Sequence, residues 1–349
     1  MTVTLTKHTS GGAGTNSARP TRLLRFLLLG FLGLLALTLA ALASVVFGSR
    51  TTSLGDVFAV LFGDPDPYIE TVVESRYPRT ALGILAGIGL AVGGTLMQGI
   101  TRNPLADPGL LGINAGASAG VVTATAFLGA SGRAGAVWWA LPGALIAGLL
   151  VYAVGSAGAS AGLVRLVLAG AVVSAVLGAY IQAVTLSKPL VFDTTRVWVV
   201  GSLGGRNFEV FRSVLPFAII GLVLAAVVAA GLNTLALGDE SARALGANPT
   251  LTRAGGLLAA TLLCAAATAA VGPIAFVGLA VPHIVRALVG IDFRLQLAFS
   301  ALVGPTLLLC ADVIGRLALR PQELPVGVVT ALVGAPVLLL VVRRMRGNA

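Results

Sequence analysis

The chain has 349 residues, of which 57% are hydrophobic and only 10% are charged, and its mean hydropathy is +0.97. A soluble domain carries roughly 25% charged residues, so most of this surface must face something other than water. The formal net charge of +10 does not indicate nucleic-acid binding, because no basic patch carries interleaved aromatic residues. The composition therefore predicts a membrane protein.

The polar residues 1–21 are predicted to form a cytoplasmic tail before the first apolar segment. A basic start, an apolar run and the string ALAS at 41–44 resemble a signal peptide and its cleavage site. The uncharged run 26–49 is longer than the roughly 7–15 residues of a signal h-region. We therefore expect this segment to be retained as the first membrane helix.

Long uncharged runs locate the membrane spans, each of which needs about 20 residues. The run 254–285 is too long for one helix, and Gly272-Pro273 offers a natural break within it. The sequence therefore predicts an all-α, polytopic protein with about ten transmembrane helices in one domain over residues 22–346. The uncharged runs cover 26–49, 80–101, 108–132, 134–164, 166–187, 213–238, 254–285, 295–311 and 324–342.

The orientation follows from the basic residues near both ends of the chain. An even number of helices places the two termini on one side, and the excess of arginine there favours the cytoplasm. On that topology the cytoplasmic side holds 13 of the 23 Lys and Arg residues, which is a thin bias. We therefore expect some of the external arginines to be retained for a purpose.

Residues typical of catalytic or metal sites are scarce. Cys264 and Cys310 fall inside predicted spans and have no metal-site or disulfide spacing, and His283 stands alone near the end of a span. The sequence has no G-x-x-x-x-G-K-[ST] motif, so the chain is not expected to bind ATP through a P-loop. We expect a protein that is not an enzyme and that binds no cofactor of its own.

Two alternatives from other classes stay open on the residues alone. The strings GASAG at 116–120 and 158–162 match G-x-S-x-G, so an intramembrane hydrolase would use Ser118 or Ser160. Small residues at this spacing are also typical of close helix packing in lipid. An autonomous secondary transporter would need acidic side chains near the midplane, but Asp312 lies near the outer end of its predicted helix. Active transport would then need energy from another subunit.

Four segments resemble the FecCD-type permeases, the membrane subunits of ABC importers for iron-siderophores, haem and vitamin B12. The first is RYPRTALGILAGIGLAVGGTLMQGITRNPLADPGLLGINAGA at 76–117, and the second is LALGDESARALGAN at 235–248. The third is GPIAFVGLAVPHIVRALVGIDFR at 272–294, and the fourth is ADVIGRLALRPQELPVGVVTALVGAP at 311–336. They follow the family order and cover most of the chain.

The resemblance implies the fold of a type II ABC importer permease, with both termini cytoplasmic, in a prokaryotic cell membrane. It implies a second permease chain, identical or closely similar, two cytoplasmic ATPases that use ATP and Mg²⁺, and an extracytoplasmic binding protein. It further implies that a metal chelate, most simply a ferric siderophore, is carried inward; vitamin B12 or haem is the alternative.

The resemblance also assigns roles to three charged or polar places. Arg76, Arg79 and Arg316 are expected to dock carboxylates of the binding protein, since arginine holds a carboxylate through two hydrogen bonds. Asn103 and Pro104, in TRNPLADPG, are expected to narrow the cytoplasmic gate together with the segment before the fifth span. That segment contributes Gly162 and Leu163, where some relatives have Ser or Thr.

The segment 237–247 is expected to form a short cytoplasmic helix that fits a groove of the ATPase. Two acidic residues suit the positive end of a helix dipole, the spacing of Asp239 and Arg243 allows an i,i+4 pair, and Gly246 is suited to end the helix. The residues assigned to coupling are Leu237, Gly238, Asp239, Glu240, Ala242, Arg243, Leu245 and Gly246.

Overall fold

The computed structural model describes residues 18–50, 52–63, 66–129, 133–156 and 163–347. Within these ranges the chain forms helices joined by turns and loops, and no described residue lies in a β-strand. A 3-10 helix at Pro108–Leu111 precedes α5. The α-helices are α1 (Ala18–Val46), α2 (Leu54–Phe62), α3 (Pro67–Glu74), α4 (Arg76–Thr101), α5 (Ile113–Phe127), α6 (Arg133–Ser156), α7 (Leu163–Ser187), α8 (Pro189–Val199), α9 (Phe208–Leu235), α10 (Asp239–Ala244), α11 (Pro249–Val271), α12 (Val277–Val289), α13 (Phe293–Ala318) and α14 (Val326–Gly347).

The apolar helices agree with the predicted spans. Among the described residues, 7 helical segments are long and apolar enough to cross a membrane, and the apolar segments Ile113–Phe127, Val277–Val289 and Val326–Pro336 are shorter. Together they give the ten helices α1, α4 to α7, α9 and α11 to α14. The predicted all-α fold with about ten membrane helices is therefore confirmed.

The predicted break at Gly272-Pro273 separates α11 from α12. Gly272 has φ +82°, a left-handed conformation that favours glycine, and its N–H donates to Thr268 O at the end of α11. The N–H of Ser202 donates to Val271 O at 2.7 Å, so a carbonyl left open by the break still has a partner. The 13-residue α12 consequently starts inside the bundle rather than at its surface.

Three further helices, α2, α3 and α8, were not predicted because they are short and lie between the apolar runs. Local capping explains α2 and α3. Ser53 Oγ accepts from Asp56 N at 3.1 Å and Ser53 N donates to Asp56 Oδ2 at 2.7 Å, which forms a capping box. Asp66 caps α3, whose first residue is Pro67. Residues 67–74, which lead directly to α4, are thus helical.

Helix α4 lies at the centre of the bundle and packs against α11, α12 and α13. A Cβ added at Gly87 would lie 2.4 Å from Pro305 Cα, and one added at Gly94 would lie 1.9 Å from Gly278 O. In lipid the hydrophobic effect does not drive apolar helices together, so the association of membrane helices depends on close backbone packing at small residues. Glycine is therefore required where α4 meets α12 and α13.

Contacts between distant residues define two ends of the bundle. Arg25, near the start of α1, donates to Leu288 O at the end of α12, and α10 lies at the same end. We call this the cytoplasmic end, following the basic termini. The opposite, outer end holds the last turn of α1 and the first turn of α4. Helix α4 therefore runs from the outer end to the cytoplasmic end.

Gly94→Ala should destabilise the bundle, because the new methyl group would meet the carbonyl oxygen of Gly278. Overpacking of this kind costs about 1–3 kcal/mol, which for a protein of this size corresponds to a Tm lowered by roughly 1–4 °C. Gly30→Ala is the matched control, since nothing lies within 4 Å of a Cβ at Gly30 in α1. Thermal unfolding in lipid nanodiscs checks this; equal Tm values for the two variants would contradict the packing described here.

Candidate functional site

The outer end contains a group of arginines that the fold holds together. Arg76, the first residue of α4, is only 5% exposed. Its Nη1 donates to Val45 O at 2.8 Å, Val46 O at 2.7 Å and Thr52 Oγ1 at 2.7 Å, while Nη2 donates to Arg50 O at 2.9 Å. Arg76 therefore ties the end of α1 to the start of α4.

Asp312 is the centre of the ion pairs at this end. Arg79 donates from Nε to Asp312 Oδ2 at 3.0 Å and from Nη2 to Oδ1 at 2.8 Å. Arg316 Nη2 lies 3.0 Å from Asp312 Oδ2, and the side chains of Asp312 and Arg316 are both 1% exposed. Arg316 also donates to Ser44 O and Ser44 Oγ, so α1, α4 and α13 share one buried network.

Glu323 closes the network where it reaches solvent. Arg79 Nη1 lies 2.8 Å from Glu323 Oε2, and the Glu323 side chain is 33% exposed. Partial burial by itself would raise the pKa of Glu323, but the charge and hydrogen bond of Arg79 outweigh it and the pKa lies below its ordinary value. Glu323 therefore stays ionised at neutral pH, and its pairing is lost only as the pH falls through that lowered pKa.

The three arginines predicted for docking line one cleft of about 260 Å³ at the outer end. The cleft also contains Arg50, Arg206 and the carboxylate of Glu323. Arg50 is exposed, whereas Arg76 and Arg316 are buried and bonded within the chain. Their docking role stays a prediction; in this structure they also hold helices together.

The short helix at the cytoplasmic end is α10, which occupies 239–244 within the predicted segment 237–247. Most of its surface is exposed. Ala242 is 0% exposed and anchors the helix, while Leu237 and Leu245 are 65% and 63% exposed. Glu240, Arg243 and Gly246 are also exposed, and Gly246 has φ +80°, which suits the predicted stop after the helix.

The predicted pairing of Asp239 with Arg243 is wrong. Asp239 instead receives a bidentate pair from Arg253, with Nη1 to Oδ2 and Nη2 to Oδ1 both at 2.8 Å. Arg102 Nη2 adds a hydrogen bond to Asp239 Oδ1 at 2.7 Å. Local spacing indicated a partner one turn away, but α4 and α11 bring their arginines to the same carboxylate and leave Arg243 in solvent.

These bonds fix the charge of Asp239. The hydrogen bonds from Arg253, followed by its charge and the contacts of Arg102, outweigh partial burial and hold the pKa of Asp239 below its ordinary value. The stability that the pairs contribute is therefore present at neutral pH and is lost as the pH falls through the lowered pKa.

The predicted gate residues fall partly within the described ranges. Asn103 is exposed, and its Oδ1 accepts from Leu105 N at 2.9 Å, which is the turn-forming bond typical of asparagine. Pro104 is half-buried in the same turn. Gly162 lies outside the described residues, and Leu163 is the first residue of α7. The gate role of all four stays a prediction.

The serine of the first G-x-S-x-G string does not lie in the setting of a hydrolase nucleophile. Ser118 is buried inside α5 and donates to Asn114 O at 2.9 Å, one turn earlier in the same helix. A nucleophile elbow requires a strand–turn–helix setting. Gly116, which opens the string, packs instead against Gly143 of α6, as the small-residue spacing predicted. Ser160 lies outside the described residues.

The bundle is that of a multi-pass membrane protein with a cluster of ion pairs at each end. The model of the FecCD transport family matches residues 35–344, and the chain belongs to this family. The permease predicted from the four sequence segments is thereby confirmed, as is its location in the inner membrane.

Known proteins agree with this assignment. The chain is 45% identical over 319 residues to the ferric enterobactin transport system permease protein FepD of Escherichia coli (strain K12), covering 90% of this chain and 95% of that one. It is 37% identical to the hemin transport system permease protein HmuU of Yersinia pestis, covering 92% and 96%. A solved structure, described as an inward-facing conformation of a metal-chelate type ABC transporter, superimposes with a TM-score of 0.79 at 27% identity, covering 90% and 99%.

Asp312→Asn should strongly destabilise the permease, because two arginines would lose the charge that compensates their burial. Breaking a buried ion pair costs about 3–5 kcal/mol. Asp193→Asn is the matched control. Asp193 pairs with Arg196 at a long distance of 3.8 Å and both side chains are 61% exposed, so losing the pair should cost about 1 kcal/mol or less of stability. Thermal unfolding of both variants decides the point; an Asp312→Asn variant as stable as the control would contradict the network.

Proposed function

We propose that this chain is the membrane permease of an ATP-driven importer that carries a ferric siderophore from an extracytoplasmic binding protein to the cytoplasm. The similarity to the ferric enterobactin permease, at 45% identity over 95% of its length, is the observation that carries the proposal. A siderophore permease of Bacillus subtilis, YfiZ, is 37% identical over 92% of its length. No cofactor of the permease itself is part of the proposal.

Haem or vitamin B12 is the second candidate substrate. The haemin permease is 37% identical to this chain, and the cobalamin import permease BtuC of Halobacterium salinarum is 36% identical over 282 residues. These values lie below that for the ferric enterobactin permease, which favours the siderophore.

We further propose the partners that such an importer requires. Two cytoplasmic ATPases bind and hydrolyse ATP with Mg²⁺, a second permease chain completes the pore, and a binding protein delivers the substrate. Leu237, Glu240, Arg243 and Leu245 are exposed at the cytoplasmic end, which supports α10 as the segment that contacts the ATPase. We also propose that the inner mouth is narrowed by Asn103, Pro104, Gly162 and Leu163.

The outer cleft is proposed to receive carboxylates of the binding protein. Five arginines and one glutamate line it, so the cleft presents a net positive charge to an acidic partner. Arg50 stands at the exposed edge, where it can meet a carboxylate first. Arg76, Arg79 and Arg316 lie behind it and give the cleft its charge while they hold α1, α4 and α13.

Uptake into proteoliposomes tests the substrate. The permease is reconstituted with its partner ATPase, and its binding protein is supplied outside with ferric siderophore, haemin or vitamin B12. ATP-dependent accumulation of the ferric siderophore in clear excess over the other two is expected. ATP-dependent accumulation of haemin or vitamin B12 alone would establish the second candidate, and accumulation without the ATPase would contradict an ATP-driven importer.

Arg50→Gln tests the docking cleft without breaking the buried network, because Arg76 uses only the backbone carbonyl of Arg50. An exposed charge pair is worth about 0.2–1 kcal/mol, so the affinity for the binding protein should fall up to about fivefold and depend less on salt. Arg196→Gln, an exposed arginine of α8, is the control. Surface plasmon resonance on nanodiscs checks both; equal affinities would exclude Arg50 from docking.

A further inference from the structure

Helix α10 is attached to the bundle through one carboxylate. Both ion pairs that it forms within the described residues involve Asp239, which is bound to Arg253 in the first turns of α11 and to Arg102 just after α4. The rest of the helix has few anchors: Ala242 is buried, whereas Glu240, Ser241, Arg243 and Ala244 are exposed.

Arg102 adopts a backbone conformation that needs support from its surroundings. Its φ of 48° and ψ of 29° are left-handed, a backbone conformation that is unfavourable for a residue other than glycine. Its side chain turns towards α10 and donates to Leu235 O at the end of α9 as well as to Asp239 Oδ1. These bonds compensate the backbone cost and join the end of α4 to the segment that leads into α10.

Arg102 also begins the turn that contains the proposed gate residues. Asn103 follows it directly, Asn103 O accepts from Ala106 N at 3.1 Å, and the side chain of Ala106 is 1% exposed. A displacement of Arg102 must therefore move a compact turn whose far end is anchored in the bundle.

We infer that Asp239 is a positioning residue that attaches α10 to both α4 and α11. A displacement of α10 is thereby transmitted to the inner end of α4 and to the turn at Asn103. The inference rests on the proposed function, in which the ATPase moves α10. Asp239 touches neither substrate nor ATP in this account and acts through Arg102 and Arg253.

Because the three side chains are partly exposed, we expect their substitution to change coupling more than it changes the stability of the fold. Arg102, Asp239 and Arg253 are 37%, 33% and 29% exposed, so solvent screens the pairs and their loss should barely change unfolding. The geometry is specific nevertheless, because a bidentate pair between arginine and a carboxylate fixes the relative orientation of the two side chains as well as the distance between them. A residue with this role should change the yield of transport per ATP more than it changes folding.

The experiment compares Asp239→Asn with Asp193→Asn in the complete transporter, with its ATPase and binding protein, in proteoliposomes. Asp193→Asn is the matched control, because it makes the same change in an aspartate that pairs with an arginine, Arg196, in α8 and outside the proposed ATPase contact. We expect Asp239→Asn to lower the ratio of ferric siderophore transported to ATP hydrolysed at least fivefold, with unchanged co-purification of the ATPase. Asp239→Glu, which keeps the charge, should recover most of the ratio.

Arg102→Gln is the second variant, because it removes the link to α4 and leaves the bidentate pair of Asp239 with Arg253 in place. It should lower the same ratio at least threefold, and the double variant with Asp239→Asn should be no worse than Asp239→Asn alone. This variant decides the question if Asp239→Asn does not fold.

Three results would overturn the inference: a ratio for Asp239→Asn within twofold of the Asp193→Asn control, additive effects in the double variant, or loss of the ATPase from Asp239→Asn. The last result would make Asp239 a direct ATPase contact. A wild-type transporter without ATP-dependent uptake would instead contradict the proposed function, so the two failures are distinguishable.

Discussion

The close approach of α4 to three other helices is the constraint on which the rest of this bundle depends. Moving an apolar side chain from lipid into the bundle releases little free energy, because lipid is as apolar as the protein interior. The helices must therefore associate by direct packing of their backbones. Gly87 and Gly94 allow this where α4 meets α13 and α12. A helix of 26 residues, about 39 Å long, is thereby held along its whole length and presents one charged end to each side of the membrane.

The two ends of α4 carry the arginines that organise the functional sites. Arg76 and Arg79 belong to the outer cleft, and Arg102 belongs to the contacts of α10. Burying a guanidinium group is costly unless acceptors replace water. Asp312, Glu323 and backbone carbonyls provide them outside, and Asp239 and Leu235 O do so inside. The weak positive-inside bias of the sequence has its explanation here, because several external arginines are components of the fold.

The sequence predicted features that depend on local composition. The uncharged runs predicted the spans, Gly272-Pro273 predicted the break before α12, and the charged segment around Asp239 predicted a short helix. Partners across the bundle could not be predicted in this way. The i,i+4 spacing indicated Arg243 for Asp239, whereas the fold supplies Arg102 and Arg253 from residues 137 and 14 positions away. The burial of Arg316 likewise depends on Ser44, 272 residues earlier.

Helix α4 joins the outer cleft to the inner contacts of α10, and its close packing predicts that it moves as one rigid body. Pulsed dipolar spectroscopy measures this directly in the permease assembled with its proposed ATPase, with and without ATP. One pair of spin labels is at the exposed positions Ser75 and Leu105, and a second pair is at Leu105 and Leu332. The account predicts an unchanged Ser75–Leu105 distance while the Leu105–Leu332 distance shifts. A change between Ser75 and Leu105 of about one helical turn, about 5.4 Å, would contradict it.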